Sequence, residues 1–271
     1  MPERARRVVK PPTRRPDPLR GRHVEPPRRT VWLFDMDDTL HDASWRVFPR
    51  MNAEMSAYIE RHLGVDAARA DGLRQHFWRR YGATLLGLMH EHGVRADHFL
   101  AETHRFADLA RLLRADASQR AALRRLPGRK YVLTNAPRAY ALRVLGAFGM
   151  LREFDGVIAI EDMCQFGRLR PKPDARMLRH VLRRLGLRPA QCVLVEDTIG
   201  HLRTARALGV RGVWFTRYAH RAVRRQSPAA AAAAAAVRLR PRSRHGRPGY
   251  VSARTASLWQ LPRLVRGPGS R

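Results

Sequence analysis

Val31-Trp32-Leu33-Phe34-Asp35-Met36-Asp37-Asp38-Thr39-Leu40 joins four apolar residues to three carboxylates. The apolar run reads as a buried β-strand, and the acids stand at its end. Like charges held close together repel and raise one another's pKa. A hard cation such as Mg²⁺, which takes oxygen ligands, relieves that repulsion. The stretch therefore predicts a metal site on the tip of a strand.

Further strands and helices extend outward from this one. A helical region is expected over roughly 45–115, with apolar positions near the helical period in Met51–Leu63 and Leu73–Met89. Tyr131-Val132-Leu133 reads as a second strand ending at Thr134-Asn135, and 138–150 as a helix with Gly149 near its stop. Phe154–Ile160 reads as a third strand ending at Glu161-Asp162. Pro173-Asp174 should open a helix running to about Leu185 and closed by Gly186, with the proline in its first turn. Cys192–Val195 is a fourth strand ending at Glu196-Asp197, 199–208 a helix closed by Gly209, and Val213–Phe215 a fifth strand. Short apolar strands alternating with helices indicate a parallel α/β sheet. Sites in such sheets lie at the carboxyl ends of the strands, where several of these strands carry polar or acidic residues.

The formal net charge of +30 first suggests a nucleic-acid partner. Its distribution argues otherwise. Residues 1–30 carry a net +7 and residues 217–271 a net +13, so two-thirds of the excess sits in Pro-, Ala- and Gly-rich flanks. Only Lys10, Lys130 and Lys172 among the 53 basic residues are lysines, a uniform arginine bias that reads as composition rather than as a designed binding face. Cys164 and Cys192 are too few for a disulfide framework, which fits a reducing compartment. The basic N-terminus lacks the apolar segment of a signal peptide, and no stretch approaches a membrane span. A soluble, cytoplasmic protein is expected. Residues 1–30 are expected to be a disordered tail, and 217–247, with eight consecutive alanines at 229–236, a linker or insertion. Tyr250-Val251 and Ser257–Leu261 would return as a last strand and a short helix stopped by Pro262, followed by a tail.

Taken together, the strand ends bring a set of complementary groups to one edge. Asp35 and Asp37 lie two residues apart and, on an extended segment, face the same way. Thr134 adds a hydroxyl, Asn135 an amide, Lys172 a cation, and Glu196 and Asp197 two more carboxylates. Each alone is commonplace; an acid pair after a strand often only caps a helix. Together they are the equipment of phosphoryl transfer, where positioning and charge neutralisation do most of the catalysis. Lys172 stands out by identity, since a compact ammonium fits between carboxylate and phosphate where a planar guanidinium is wider.

The order D-x-D-x-T, then a strand ending in Thr, then Lys, then E-D resembles the haloacid dehalogenase-like hydrolase superfamily over roughly 31–216 and in part 249–264. The resemblance implies a Rossmann-like α/β parallel sheet core (31–44 and 116–216, with 248–271 adding a last strand and helix) and a helical cap, 45–115, inserted after the first strand. It implies Asp35 as nucleophile, and Asp37 as general acid and then base. Met36, Asp37, Thr134, Asn135 and Lys172 would hold the phosphate. Asp35, Asp37 (through its carbonyl), Glu196 and Asp197 would hold Mg²⁺. Asp38 occupies a variable position and reads as structural.

The cap selects the substrate. Its stretch His76-Phe77-Trp78-Arg79-Arg80-Tyr81-Gly82-Ala83-Thr84-Leu85-Leu86-Gly87-Leu88 is similar to the pyrimidine 5′-nucleotidase branch, as are Leu40–Ser44 and Leu133–Pro137. This implies a pyrimidine nucleoside 5′-monophosphate as the small-molecule substrate. An aromatic cap residue, Trp78 or Tyr81, would stack on a flat base, and Arg79 or Arg80 would meet its polar edges. The alternative for these aromatics is packing within the cap's own core. Asp38 departs from the Asn common in that branch. The rivals are another small-molecule phosphatase or sugar phosphomutase on the same scaffold and, from a different class, a basic protein binding nucleic acid through its tails. A dehalogenase would not need the acid at Asp37.

Overall fold

The structure is a computed structural model that describes residues 30–114, 117–218 and 247–265. Its sheet has six parallel strands: β1 (Val31–Phe34), β2 (Arg129–Leu133), β3 (Gly156–Ile158), β6 (Cys192–Glu196), β7 (Arg211–Phe215) and β8 (Ala253–Thr255), in the order β3-β2-β1-β6-β7-β8. β1 lies between β2 and β6, with Phe34 level with Val132 on one side and Val195 on the other. All four β1 residues are buried, as an uninterrupted apolar run in a sheet covered on both faces requires. The switch in strand order falls beside β1, which puts the crevice at the carboxyl end where Asp35 begins.

Helices flank the sheet: α6 (Ala117–Arg125), α7 (Arg138–Ala147), α8 (Ala175–Arg184), α9 (Ile199–Ala207) and α10 (Leu261–Val265). One apolar face packs Trp32, Phe34, Val132, Val193 and Val213 against Leu123, Tyr140 and Val144. The other packs Val31, Leu33, Leu133 and Leu194 against Met177, Leu178, Val181 and Leu202. Between β1 and β2 run α1 (Ala43–Leu63), α2 (Ala67–Tyr81), α3 (Thr84–His92), α4 (Ala96–Thr103) and α5 (Leu109–Leu112). Tyr58, Ile59, Ala70, Phe77, Leu85, Leu88 and Phe99 of these helices form an apolar cluster of their own, joined by Ile160. No described helix is long and apolar enough to cross a membrane.

The structure corrects several expected boundaries. The helix expected over Leu73–Met89 is two helices, because Gly82 adopts φ 81° and its N–H closes α2 on the Trp78 carbonyl. The third strand spans only Gly156–Ile158, with Ile160–Met163 a 3₁₀ turn: Asp162 accepts from the Ala159 N–H and pulls the chain off the sheet edge. Phe154, apolar but unpaired, instead sets its ring edge-on to Phe34. Asp174 is the N-cap of α8, accepting from the N–H groups of Arg176 and Met177, so Pro173 precedes the helix rather than entering its first turn. Pro262 sits inside the first turn of α10, where no proline N–H is needed, and does not stop it. The last strand is Ala253–Thr255, not Tyr250-Val251. A short hairpin, β4 (Cys164–Gln165) and β5 (Arg168–Leu169), and the helix α6 had no counterpart in the periodicity. Most of the expected linker, 219–246, and nearly all of the N-terminal tail lie outside the described residues.

Candidate active site

Asp35 continues β1 by one residue, its N–H donating to the Val195 carbonyl. The chain then turns tightly: the N–H groups of Thr39 and Leu40 return to the Met36 carbonyl, and Asp38 takes φ 60°. The Met36 side chain is buried in the core, so only its backbone can serve the site. Asp38 accepts from both the N–H and the hydroxyl of Ser44 at the start of α1, which is the structural role expected of it.

Lys172 is the hub. Its Nζ lies 2.6 Å from Asp35 Oδ1 and 2.9 Å from Glu196 Oε2, and all three side chains are buried. Asn135 sets the lysine's backbone: its Nδ2 donates to the Lys172 carbonyl at 3.0 Å and its Oδ1 accepts the Lys172 N–H at 2.8 Å. The Asn135 amide is thus used at both ends to place the lysine, and its second Nδ2 proton is not needed for that. Thr134 Oγ1 accepts from the Ala136 N–H at 3.1 Å, leaving its own proton free to donate.

Oxygens of Asp35, Glu196 and Asp197 lie within 4.8 Å of one another. Burial first, and then Glu196, push Asp35 up to about 7 against the pull of Lys172. Asp197 is driven well above the carboxylate range by burial, Glu196 and Asp35. Burial would raise Glu196 too, but Lys172 and His201 outweigh it and hold it well below the usual range. Burial alone would lower Lys172; Asp35 and Glu196 outweigh that and hold it charged. Three carboxylates against one ammonium leave a deficit of positive charge that a divalent, oxygen-seeking cation fits. His201 Nδ1 is 2.9 Å from Glu196 Oε2 but misaligned for a hydrogen bond.

Asp37 points elsewhere. Its Oδ1 meets His41 Nε2 at 2.8 Å and the Tyr140 hydroxyl at 3.0 Å, and its side chain stays outside the three-acid cluster. His41, Tyr140 and His201 were not singled out in the sequence. His41 sits four residues after Asp37 and His201 five after Glu196, both findable signals; Tyr140 comes from a distant helix and carries none.

On α2, Trp78 and Arg79 are exposed and Tyr81 half-buried, with the Tyr81 hydroxyl donating to Glu91 Oε1 at 2.6 Å. Gly82 ends α2. Gly87 lets α3 approach Phe77 so closely that a Cβ there would lie 2.4 Å from the ring. Phe77 is therefore core, and both glycines of this stretch serve the helix pair.

A parallel α/β sheet with a metal-competent acidic centre and a buried lysine at its strand ends defines the class of protein. The match of residues 30–209 to the family model described as haloacid dehalogenase-like hydrolase makes it specific: the chain belongs to that family. Phosphate metabolism protein 8 of Saccharomyces cerevisiae is 26% identical over 219 residues, covering 73% of this chain and 63% of that protein. A plasmid-borne phosphoglycolate phosphatase of Cupriavidus necator is 36% identical over 100 residues, covering 37% and 41%. The chain thus matches less than two-thirds of the length of either relative. A phosphatase structure from Thermococcus onnurineus shares the fold at 18% identity and TM-score 0.54, over 88% of this chain and 98% of that one. A magnesium-bound hydrolase, YfnB of Bacillus subtilis, does so at 17% and 0.53, over 89% and 100%.

Proposed function

We propose that this chain is a Mg²⁺-dependent phosphomonoester hydrolase working through an aspartyl-phosphate. The observation that carries the reading is the Lys172 ammonium wedged between Asp35 and Glu196 beside the three-acid cluster. In this reading Asp35 attacks phosphorus while Asp37 gives a proton to the departing alkoxide; Asp37 then takes a proton from the water that cleaves the acyl phosphate. Thr134 donates its free hydroxyl proton to a phosphoryl oxygen, the backbone N–H groups of Met36 and Asp37 face the phosphate, and Lys172 neutralises charge. Asp35, Glu196, Asp197 and the Asp37 carbonyl would hold Mg²⁺, which when bound would supply further charge neutralisation.

The substrate we favour is a pyrimidine nucleoside 5′-monophosphate, taken under the helices of 45–115 acting as a cap. Exposed Trp78 and Arg79 support it: an indole face suits a flat base, and a guanidinium its polar edge. Tyr81 contributes less, since its hydroxyl is tied to Glu91. The second reading, phosphoglycolate, is favoured by the likeness to the Cupriavidus enzyme. A panel of UMP, CMP, AMP, phosphoglycolate and hexose phosphates separates them. Preferential turnover of UMP or CMP is expected; phosphoglycolate cleared with the pyrimidine nucleotides ignored overturns the first choice. Asp35→Asn should abolish turnover without unfolding the protein, and retained turnover would overturn the covalent mechanism.

A further inference from the structure

Asp37 is held in an unusual way for a group that must move a proton. Both of its side-chain hydrogen bonds fall on one oxygen, Oδ1. His41 Nε2 reaches it at 2.8 Å from the loop before α1, and the Tyr140 hydroxyl at 3.0 Å from the first turn of α7. The two donors are themselves fixed. His41 is 1% exposed and its ring stacks at a tilt on Phe148; Tyr140 is 2% exposed and lies edge-on to Phe106 and His104. His41 Nδ1 is buried with no hydrogen-bond partner, so the imidazole's one hydrogen bond goes to Asp37. Leaving a buried ring nitrogen unmatched is costly, and here that cost fixes the orientation of a carboxyl group.

We propose that His41 and Tyr140 are positioning residues that lock the Asp37 carboxyl plane by gripping Oδ1, reserving Oδ2 for proton transfer to the leaving group. The inference rests on the phosphatase reading above. In the step concerned, the bond from Asp35 to phosphorus forms, the bond from phosphorus to the ester oxygen breaks, and the Asp37 Oδ2 proton passes to that oxygen. Neither His41 nor Tyr140 touches the reacting atoms. Their effect is orientational, and misplacing a catalytic group by about 1 Å costs about a hundredfold in rate.

The test uses leaving groups of different need. An alkyl phosphate leaves as a strongly basic alkoxide and requires the proton; p-nitrophenyl phosphate leaves as a stabilised phenolate and does not. kcat/KM ends at leaving-group departure, so the later role of Asp37 as base does not enter. Tyr140→Phe removes only a hydroxyl, His41→Leu removes the other donor, and His41→Gln restores an N–H near the position of Nε2. Expected for Tyr140→Phe and His41→Leu are losses of about tenfold to a hundredfold in kcat/KM on the alkyl ester and less than about threefold on the aryl ester, with His41→Gln recovering most of the loss. Asp37→Asn, the reference, should show the same selectivity more strongly. Equal losses on both esters, or none on either, would overturn the positioning role. If Asp37→Asn itself shows no selectivity, the general-acid reading fails, and with it this inference. Tyr140→Phe keeps the ring packing, so the test survives a poorly folded His41→Leu.

Discussion

His104 should make the protein acid-labile in a window that one substitution removes. It caps the end of α4, 8% exposed, with its ring against Phe106 and Tyr140. Its Nδ1 is 2.9 Å from the Thr103 hydroxyl, whose own proton goes to the Phe99 carbonyl, so the imidazole is the donor. Burial pushes His104 down from 6.5 to about 4, although Asp37 and a hydrogen bond with the Leu100 backbone both favour its charged form. Above pH 6.5 the ring is neutral folded or unfolded and costs nothing. Below it the unfolded chain takes the proton first, so stability falls until about pH 4, where the folded ring also charges. The full loss is about 3 kcal/mol, at about 1.4 kcal/mol per pH unit, and about 2 kcal/mol is reached by pH 5. Asp35 and Asp38, raised by burial to about 7 and about 6, act with the opposite sign in the same window. The wild-type curve alone is therefore uninformative, and the measurement is a difference. His104→Asn keeps an N–H for Thr103 and cannot titrate. Urea unfolding followed by circular dichroism between pH 7.5 and 4.5, in EDTA, should show the variant gaining on wild type as pH falls. Parallel curves across that range would refute the reasoning.

Three further outcomes follow from the geometry. Lys172→Met strands buried Asp35 and Glu196 without their cation and should cost about 3–5 kcal/mol in metal-free buffer, read from the urea midpoint, together with turnover. Alanine should have opposite effects at two glycines of one helix pair. Gly72 has nothing within 4 Å of its Cβ position, so Gly72→Ala gains about 0.5–1 kcal/mol of helix propensity; Gly87→Ala meets Phe77 and should lose about 1–2 kcal/mol net, from overpacking less the same gain. Equal signs in thermal melts would contradict this. Mg²⁺ at a hundred times its dissociation constant should stabilise the fold by about 2.7 kcal/mol, and Asp197→Asn should abolish most of that shift in calorimetry.

The sheet was legible because its strands are short, apolar and bounded by polar ends: Val31–Phe34 and Cys192–Glu196 fall almost where the hydrophobic runs do. Boundaries failed where a side chain overrode the run. Asp162 ends β3 early, and Asp174 rather than Pro173 starts α8. Asp35, Lys172, Glu196 and Asp197 converge as the ordered motifs implied, because each sits where a strand or its following loop meets the same edge. What stayed hidden was pairing across distance. Nothing in the chain around Tyr140 shows that it reaches Asp37, 103 residues away, and nothing around Asn135 shows that its amide grips the Lys172 backbone. Gly87, in the Leu85-Leu86-Gly87-Leu88 run of the cap stretch, likewise reads as part of a family pattern in sequence and as steric clearance in three dimensions.

The two bonds between Asn135 and the main chain of Lys172 separate two variables that mutagenesis usually confounds. Because the loop at 172 is tethered through backbone atoms, the side chain there can be exchanged while its stem stays in register. Substitutions at 172 then report on charge, and substitutions at 135 report on placement. In evolutionary terms, such a tether lets the cation be varied against a fixed background, whereas a change at 135 must be matched by a rebuilt loop.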